Sequence, residues 1–250
     1  MISAHSHAAA RHRVAIAALA GALSIGALSG AGAAGTAYGV DTAEVSSIGN
    51  CKVESWLSWA SNQDFLGIVN PSCVVDLTRP VEVSAQIQRS RSDGDWGTSI
   101  APKFKTNILP SAIGRFGVAI AGGAMFDVIT RETTGFFAYV PATLRLSEVV
   151  RINLNAGWLW DRIADRHYLT YGAGVDWRTP DNVWTLTAEL FGQIGDADLA
   201  TTVQPRFQLG LRWRPIDRFS MDIIYGRNIT GENANWITVA TSIRFPPPGE

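Results

Sequence analysis

Charged side chains that recur at every second position are the residues of this chain whose types and spacing could do chemistry. The strongest candidates combine arginines with carboxylates: Arg206, Glu189, Asp222, Arg212, Arg151 and Asp176. Charges enclosed away from water must be paired, so such a set could form a closed network that fills a narrow interior. The same set could instead line a pore whose fixed charges select solutes. In either case the spacing predicts that Arg206, Glu189 and Asp222 line or plug the narrowest part of that interior.

Catalysis and metal binding need constellations that the sequence does not provide. His167 is the only histidine beyond residue 12, and no nucleophile, carboxylate or second metal ligand accompanies it in a suitable pattern. We therefore expect His167 to lie at a rim of the fold, and we expect no enzymatic activity, no metal site and no cofactor. The formal net charge of −1 gives no indication of a nucleic-acid partner.

Residues 1–37 have the composition of an export signal. Two arginines precede an apolar run over residues 14–28, and small residues follow that run. The run is too short for a comfortable membrane helix. Cleavage would satisfy the small-residue rule after any of three alanines, Ala33, Ala34 and Ala37. We predict a cleaved signal peptide over residues 1–37, followed by a short periplasmic segment over residues 38–50.

The rest of the chain alternates between apolar and polar residues, which is the pattern of β-strands with two different faces. Over residues 203–214 the odd positions are Val, Pro, Phe, Leu, Leu and Trp, whereas the even positions are polar or Gly. Similar segments recur as far as residue 245, and none is a continuous apolar run long enough for a membrane helix. We predict an all-β fold, a transmembrane antiparallel up-and-down β-barrel over residues 51–245, with its polar face toward a lumen.

The number of strands depends on two segments that alternate poorly, residues 51–60 and 66–77. With both segments the barrel has about twelve strands, and without them it has about ten; both numbers are even, as bacterial single-chain barrels require. We predict twelve strands because these residues are otherwise unexplained.

Aromatic residues on the apolar face cluster near the ends of the predicted strands. Amphipathic rings prefer the two interfaces of a bilayer, so these residues predict an aromatic girdle at each membrane surface. The predicted girdle residues are Trp158, Trp160, Trp177, Trp184, Trp213, Tyr225 and Phe245.

Two cysteines, Cys51 and Cys73, follow the predicted signal peptide. An even number of cysteines in an exported protein favours a disulfide. If Cys51 begins one strand and Cys73 lies late in the next, the two residues become near cross-strand neighbours. We predict that they form a disulfide near the periplasmic rim.

The C-terminal third of the chain, from RWRPIDRF to TSIRF, resembles small outer-membrane barrels of proteobacteria. Its final strand has apolar residues at every second position and ends at Phe245, which resembles the signal that the barrel-assembly machinery recognises. A Pro-rich tail over residues 246–250 departs from that signal, but three prolines cannot continue a strand, so the strand still ends at Phe245. Some of these barrels belong to an outer-membrane transporter family associated with phenol degradation (the MetA pathway).

The resemblance implies a barrel of the bacterial outer membrane, with membrane lipids and the barrel-assembly machinery as its partners. It also implies passage of small organic solutes. The leading hypothesis is therefore a passive channel or transporter for small solutes across the outer membrane. The alternative is a structural or surface-interaction barrel with an occluded lumen and no transport.

Overall fold

The computed structural model describes residues 37–195, 205–229 and 234–245. Twelve β-strands form within these ranges, and none of their residues forms a helix long and apolar enough to cross a membrane. The strands are β1 (Cys51–Ala60), β2 (Phe65–Asp76), β3 (Pro80–Ser92), β4 (Asp95–Leu109), β5 (Phe116–Asp127), β6 (Glu132–Arg145), β7 (Val150–Asp161), β8 (Arg166–Arg178), β9 (Trp184–Ile194), β10 (Arg206–Ile216), β11 (Phe219–Asn228) and β12 (Asn235–Phe245).

The twelve strands close into one antiparallel barrel. Each strand pairs with its neighbours along the chain, and β1 pairs with β12 to complete the ring. At this seam Cys51 lies opposite Phe245 on one side and opposite Cys73 on the other. Closure leaves no unpaired strand edge, which is a requirement for strands in hydrocarbon. The predicted twelve-strand barrel is confirmed, and the ten-strand alternative is excluded because β1 and β2 are part of the ring.

The first two strands alternate poorly in sequence because they place apolar side chains on both faces. Trp56 of β1 and Leu66 and Ile68 of β2 point inward and are 2–3% exposed. Leu57 and Val69 point outward, and each is 45% exposed. A strand with two apolar faces has no period-two contrast, so its pattern cannot be distinguished from that of other buried segments.

In the other strands, burial follows the alternation in the sequence. Leu209 of β10 is 53% exposed on the outer face, whereas its neighbour Gln208 is 1% exposed inside the barrel. Large apolar side chains such as Ile223 and Val239 continue the outer face on β11 and β12. So large an apolar surface is unusual for a protein in water and is typical of a barrel that faces lipid.

The barrel has two distinct rims. One rim carries both ends of the barrel, Cys51 and Phe245, together with the links at residues 77–79, 110–115, 146–149, 179–183 and 217–218. We call it the turn rim, and we call the opposite one the loop rim. Because every even-numbered strand runs toward the turn rim, the C-terminal ends of these strands meet there.

Residues 37–45, which we call the inner segment, lie inside the barrel without joining its sheet. Four of its residues are at most 6% exposed: Tyr38, Val40, Asp41 and Ala43. Residues 46–49 are exposed and lead to β1 at the turn rim. The sequence predicted a short periplasmic segment over residues 38–50; the structure places the first part of this segment in the lumen.

Candidate channel lumen

Glycines on the inner face of the wall make room for the inner segment. A Cβ atom at Gly172 of β8 would lie 2.8 Å from Cγ2 of Val40. A Cβ atom at Gly210 of β10 would overlap the ring of Tyr38. Only a residue without a side chain allows so close an approach, so these two glycines leave the space in which Val40 and Tyr38 pack against the wall.

Glu189 of β9 holds the backbone of the inner segment. Its Oε2 atom accepts hydrogen bonds from the backbone N–H groups of Gly39 (2.9 Å) and Val40 (3.3 Å). The side chain of Gln208 donates a third hydrogen bond to the same oxygen at 2.7 Å. Because the segment is outside the sheet, these bonds satisfy buried donors that would otherwise have no partner.

Tyr38 is anchored by Asp222 of β11. The phenol donates a hydrogen bond of 2.9 Å to Oδ1 of Asp222, and Nε of Arg212 donates to the same oxygen at 2.8 Å. The guanidinium of Arg212 also lies 5.5 Å from the centre of the Tyr38 ring. Burial and the neighbouring Asp222 carboxylate raise the pKa of Tyr38 well above its usual value, so the phenol keeps its proton and remains a donor.

Asp41 supplies the negative charge of the inner segment at mid-barrel. Its carboxylate accepts hydrogen bonds from Lys105 (3.1 Å) and Tyr139 (2.8 Å), and it lies 3.7 Å from the ammonium of Lys103. Burial alone would raise the pKa of Asp41, but the two lysines outweigh burial and lower the pKa to about 2. Asp41 is therefore ionised at neutral pH, and it pairs with two buried lysines, Lys103 and Lys105.

The last part of the inner segment is bound to β6 and β7. The backbone N–H of Ala43 donates to the hydroxyl of Thr143 at 2.9 Å. Glu44 forms an ion pair of 2.8 Å with Arg151, which also pairs with Asp176 at 2.5 Å. The segment is therefore held along its length by side chains from opposite sides of the wall.

Two clusters of apolar side chains lie on the inner face of the wall. Trp56, Leu66 and Ile68 pack with Ala240 on one side, and Ala37 contacts this cluster. A second cluster includes Ala121, Phe137, Tyr139, Met125 and Leu159. The sequence predicted polar residues on the inner face; buried polar side chains do line both halves of it, and the two apolar clusters lie among them.

A polar cavity of about 580 Å³ lies between the inner segment and the turn rim, and we call it the vestibule. Tyr38, Val40 and Asp41 of the inner segment contribute to its lining. Arginines, lysines and carboxylates of the strands supply most of its wall. A solute that entered at the turn rim would meet these charged side chains first and the inner segment next.

Five of the six predicted lumen residues act on the inner segment directly or through one neighbour: Glu189, Asp222, Arg212, Arg151 and Asp176. Arg206 does not belong to this group. It lies opposite Phe191 and Asn228, nearer the loop rim, and is 3% exposed. The structure therefore brings Glu189 and Asp222 to the inner segment but separates Arg206 from them.

Sequence reasoning missed the residues of the inner segment, chiefly Tyr38, Asp41 and Glu44. One signal was available: inward lysines and arginines outnumber the carboxylates of the strands, and Asp41 and Glu44 lie within ten residues of the start of β1. Inward glycines on β8 and β10 were a second signal, because they indicate that another segment of the chain packs closely against the wall.

The predicted disulfide between Cys51 and Cys73 is confirmed. The two Cα atoms are 4.0 Å apart, and the bond joins β1 to β2 at the turn rim. It therefore lies at the base of the inner segment, where the chain leaves the lumen and enters the sheet.

The predicted girdle residues lie on the outer face, near the rims. Trp177, Trp184, Trp213 and Phe245 are 38–50% exposed near the turn rim, and Trp158 and Tyr225 are 41–42% exposed near the loop rim. The ring of His167 stacks on those of Trp158 and Trp160, at 5.5 and 5.8 Å. His167 is thus part of the outer aromatic surface. No group of three or more His, Cys, Asp or Glu side chains that could hold a metal ion occurs in the described ranges.

Comparisons with known proteins identify the family and the fold. The sequence model of one family matches residues 22–245, and the chain belongs to this family, which is described as "Uncharacterised conserved protein UCP029691". No curated protein sequence matches the chain.

Several solved structures are similar to the barrel at low sequence identity. A KdgM porin in complex with disordered oligogalacturonate has a TM-score of 0.60 and 10% identity, over 78% of this chain and 99% of the porin. A NanC porin has a TM-score of 0.60 and 9% identity, over 76% and 98%. The COG4313 outer-membrane channel from Pseudomonas putida F1 has a TM-score of 0.56 and 13% identity, over 81% and 97%. These similarities show that the fold is that of outer-membrane porins and channels.

Proposed function

We propose that the protein is an outer-membrane channel for small solutes and that its own inner segment closes the lumen. The observation that carries this proposal is that the closure is made by residues outside the sheet. Strand pairing holds the wall, whereas side-chain contacts and a few hydrogen bonds hold residues 37–45. The segment can leave the lumen without breaking any strand pairing, so closure by this segment is reversible.

The predicted cleavage of the signal peptide supports a movable segment. Cleavage after Ala33, Ala34 or Ala37 would leave a free N-terminus at or just before Tyr38. A chain with a free end can withdraw toward the turn rim without being threaded through the lumen. Its other end is fixed near Cys51, where the disulfide secures the first hairpin.

The similar structures support transport as the general role. They are porins and an outer-membrane channel, and one porin is in complex with oligogalacturonate. By the same reasoning the site of action of this protein is the outer membrane, where its apolar outer face contacts lipid. Its last strand, which ends at Phe245, is the segment that the barrel-assembly machinery would recognise.

Planar-bilayer recordings test the proposal directly. We expect a refolded chain that starts at Tyr38 to be closed for most of a recording, and a chain that starts at Val45 to conduct steadily. The matched control is a chain that starts at Tyr38 and ends at Phe245, which should behave like the first protein. A folded chain starting at Val45 that does not conduct would contradict the proposal.

The second candidate function is a structural barrel with a permanently occluded lumen. The apolar packing around Trp56, Leu66 and Ile68 favours it, because these side chains belong to the strands and stay inside the barrel whether or not the inner segment is present. The same recordings separate the two functions. An occluded barrel stays non-conducting after removal of the inner segment, even when its gel mobility shifts on heating as that of a folded barrel does.

A further inference from the structure

Four arginines form an arc at the turn rim inside the vestibule. Each lies at or near the C-terminal end of an even-numbered strand: Arg145 on β6, Arg178 on β8, Arg214 on β10 and Arg244 on β12. All four are half-buried and line the vestibule. The antiparallel topology brings these strand ends to the same rim, so residues distant in sequence face one cavity.

The carboxylates around the vestibule are engaged by other groups. All of them except Glu189 form ion pairs, with Lys52, Lys105, Arg151 or Arg212. Glu189 binds the inner segment instead. The four arginines of the arc make no ion pair within the described part of the chain. Partly enclosed positive charges that make no ion pair are under-compensated, so the arc is suited to an anion from outside the chain.

The hydrogen-bonding state of the arc leads to the same conclusion. Arg178 donates to the amide oxygen of Asn182 at 3.4 Å, and Arg244 donates to the backbone oxygen of Asp217 at 3.0 Å. Both acceptors are neutral. The Nε atoms of Arg178 and Arg214 are buried and have no hydrogen-bond partner among the described residues. Buried hydrogen-bond donors normally have an acceptor, so we expect a bound group to supply one for these two atoms.

We propose that the arc binds a small solute that carries two or more carboxylate or phosphate groups. The planar fork of a guanidinium matches the oxygen pairs of both groups, and several forks around one cavity favour a polyvalent anion. A cavity of about 580 Å³ has the size of a site for a small metabolite. The identification of this anion as the solute of the channel rests on the proposed function. Binding of the anion requires only the folded barrel.

Calorimetric titration of the folded protein in a non-ionic detergent, at constant ionic strength, tests the site. Citrate is the carboxylate probe, pyrophosphate the phosphate probe and sucrose the neutral control. We expect one saturable site for citrate or pyrophosphate and no binding of sucrose. The double variant Arg178→Gln/Arg214→Gln should bind the anion at least about tenfold more weakly, because two charged hydrogen-bond donors are lost.

The matched control is Arg79→Gln, which removes an arginine from a turn at the same rim but not from the vestibule. It should leave the affinity unchanged. A second variant, Arg178→Lys/Arg214→Lys, keeps the charge and removes the fork; it should bind more weakly than the parent and more tightly than the glutamine variant. Absence of saturable binding, or equal affinity in the parent and the glutamine variant, would overturn the site.

The outcome for this site is distinguishable from the outcome for the channel. Saturable anion binding by a protein that never conducts would support the site and overturn the channel. Conductance by a protein that shows no saturable anion binding in the titration would support the channel and overturn the site.

Discussion

Glu189 holds the backbone of the inner segment through one carboxylate oxygen. Its Oε2 atom accepts from two backbone N–H groups and from Gln208. Removing this acceptor leaves three donors without a partner inside the barrel, and each unsatisfied buried donor costs about 1–3 kcal/mol. The segment can avoid that cost by leaving the lumen, so the effect at this residue is on closure as much as on stability.

We therefore predict that Glu189→Ala raises the open fraction in bilayer recordings and makes the inner segment accessible to protease. The free energy of unfolding should fall by about 1–3 kcal/mol, measured by denaturant titration. Glu132→Ala, at an exposed carboxylate near the loop rim, is the control and should change neither quantity. A Glu189→Ala protein as closed and as protected as the parent would show that this carboxylate does not hold the segment.

Asp41 gives closure a dependence on acid. Its pKa is lowered from 3.8 to about 2 by Lys105 and Lys103, so its ionised form is favoured in the closed state. Such a group stabilises the closed state fully above about pH 4, and the stabilisation is lost as the pH falls through about 2. The shift corresponds to about 2 kcal/mol.

We predict that the open fraction of the parent rises between about pH 4 and pH 2 and that Asp41→Asn is already more open at pH 7. The comparison is with Asp95→Asn, which changes an exposed carboxylate at the loop rim and should keep the acid dependence of the parent. An Asp41→Asn protein with an unchanged acid response would refute the role of Asp41.

At the scale of elements, the sequence predicted the strands, whose residues alternate in polarity, and missed the inner segment, whose residues do not. β10 could be predicted because Gln208 and Leu209 occupy opposite faces, and this contrast repeats along the strand. The inner segment has no such period, and its partners are remote: Tyr38 and Asp222 are 184 positions apart. Arg206 was grouped with Glu189 and Asp222 because all three have inward parity on neighbouring strands and were placed at roughly mid-height. Parity gives the face of a residue, but its height depends on the register of the strands.

The fit between the segment and the wall gives a prediction for an element. Gly172→Leu places a side chain where Val40 lies, so the inner segment should be displaced while the strand remains paired. We expect steady conductance and protease sensitivity near residue 40. Ala173→Leu, at the neighbouring outward position, is the control and should remain closed. A closed Gly172→Leu protein would mean that the segment does not require this space.

At the scale of the whole molecule, two environments explain the distribution of side chains. The outer face is apolar, and its aromatic residues lie near the rims, as in a barrel placed in a bilayer. Charged side chains line the inner face around the vestibule near the turn rim. Toward the loop rim, two apolar clusters lie among buried polar residues such as Arg206 and Asn228. The sequence predicted the outer face well, because lipid favours apolar residues at the outward positions of every strand. The inward positions have different neighbours, so their residue types follow no common pattern.

The outer face is tested by Leu211, which is 40% exposed and lies between Leu186 and Ile223 in the middle of the apolar band. Leu211→Arg should lower the free energy of unfolding in lipid vesicles by about 2–4 kcal/mol, since it places a charge in hydrocarbon. Leu211→Met keeps the volume and polarity and should cost much less. Equal stability of the arginine variant and the parent would contradict a lipid-facing position.

The central claim, that the inner segment closes the lumen, is tested most directly by tying the segment to the wall. A Cβ atom at Gly172 would lie 3.7 Å from Cβ of Val40, which is within the range of a disulfide. We predict that Val40→Cys/Gly172→Cys forms this disulfide in the folded protein and that single-channel recordings of the cross-linked protein show no openings. Each single-cysteine variant should form no such bond; Val40→Cys should open intermittently like the parent, and Gly172→Cys at least as often. A cross-linked protein that opens as often as the parent would show that the segment is not the gate.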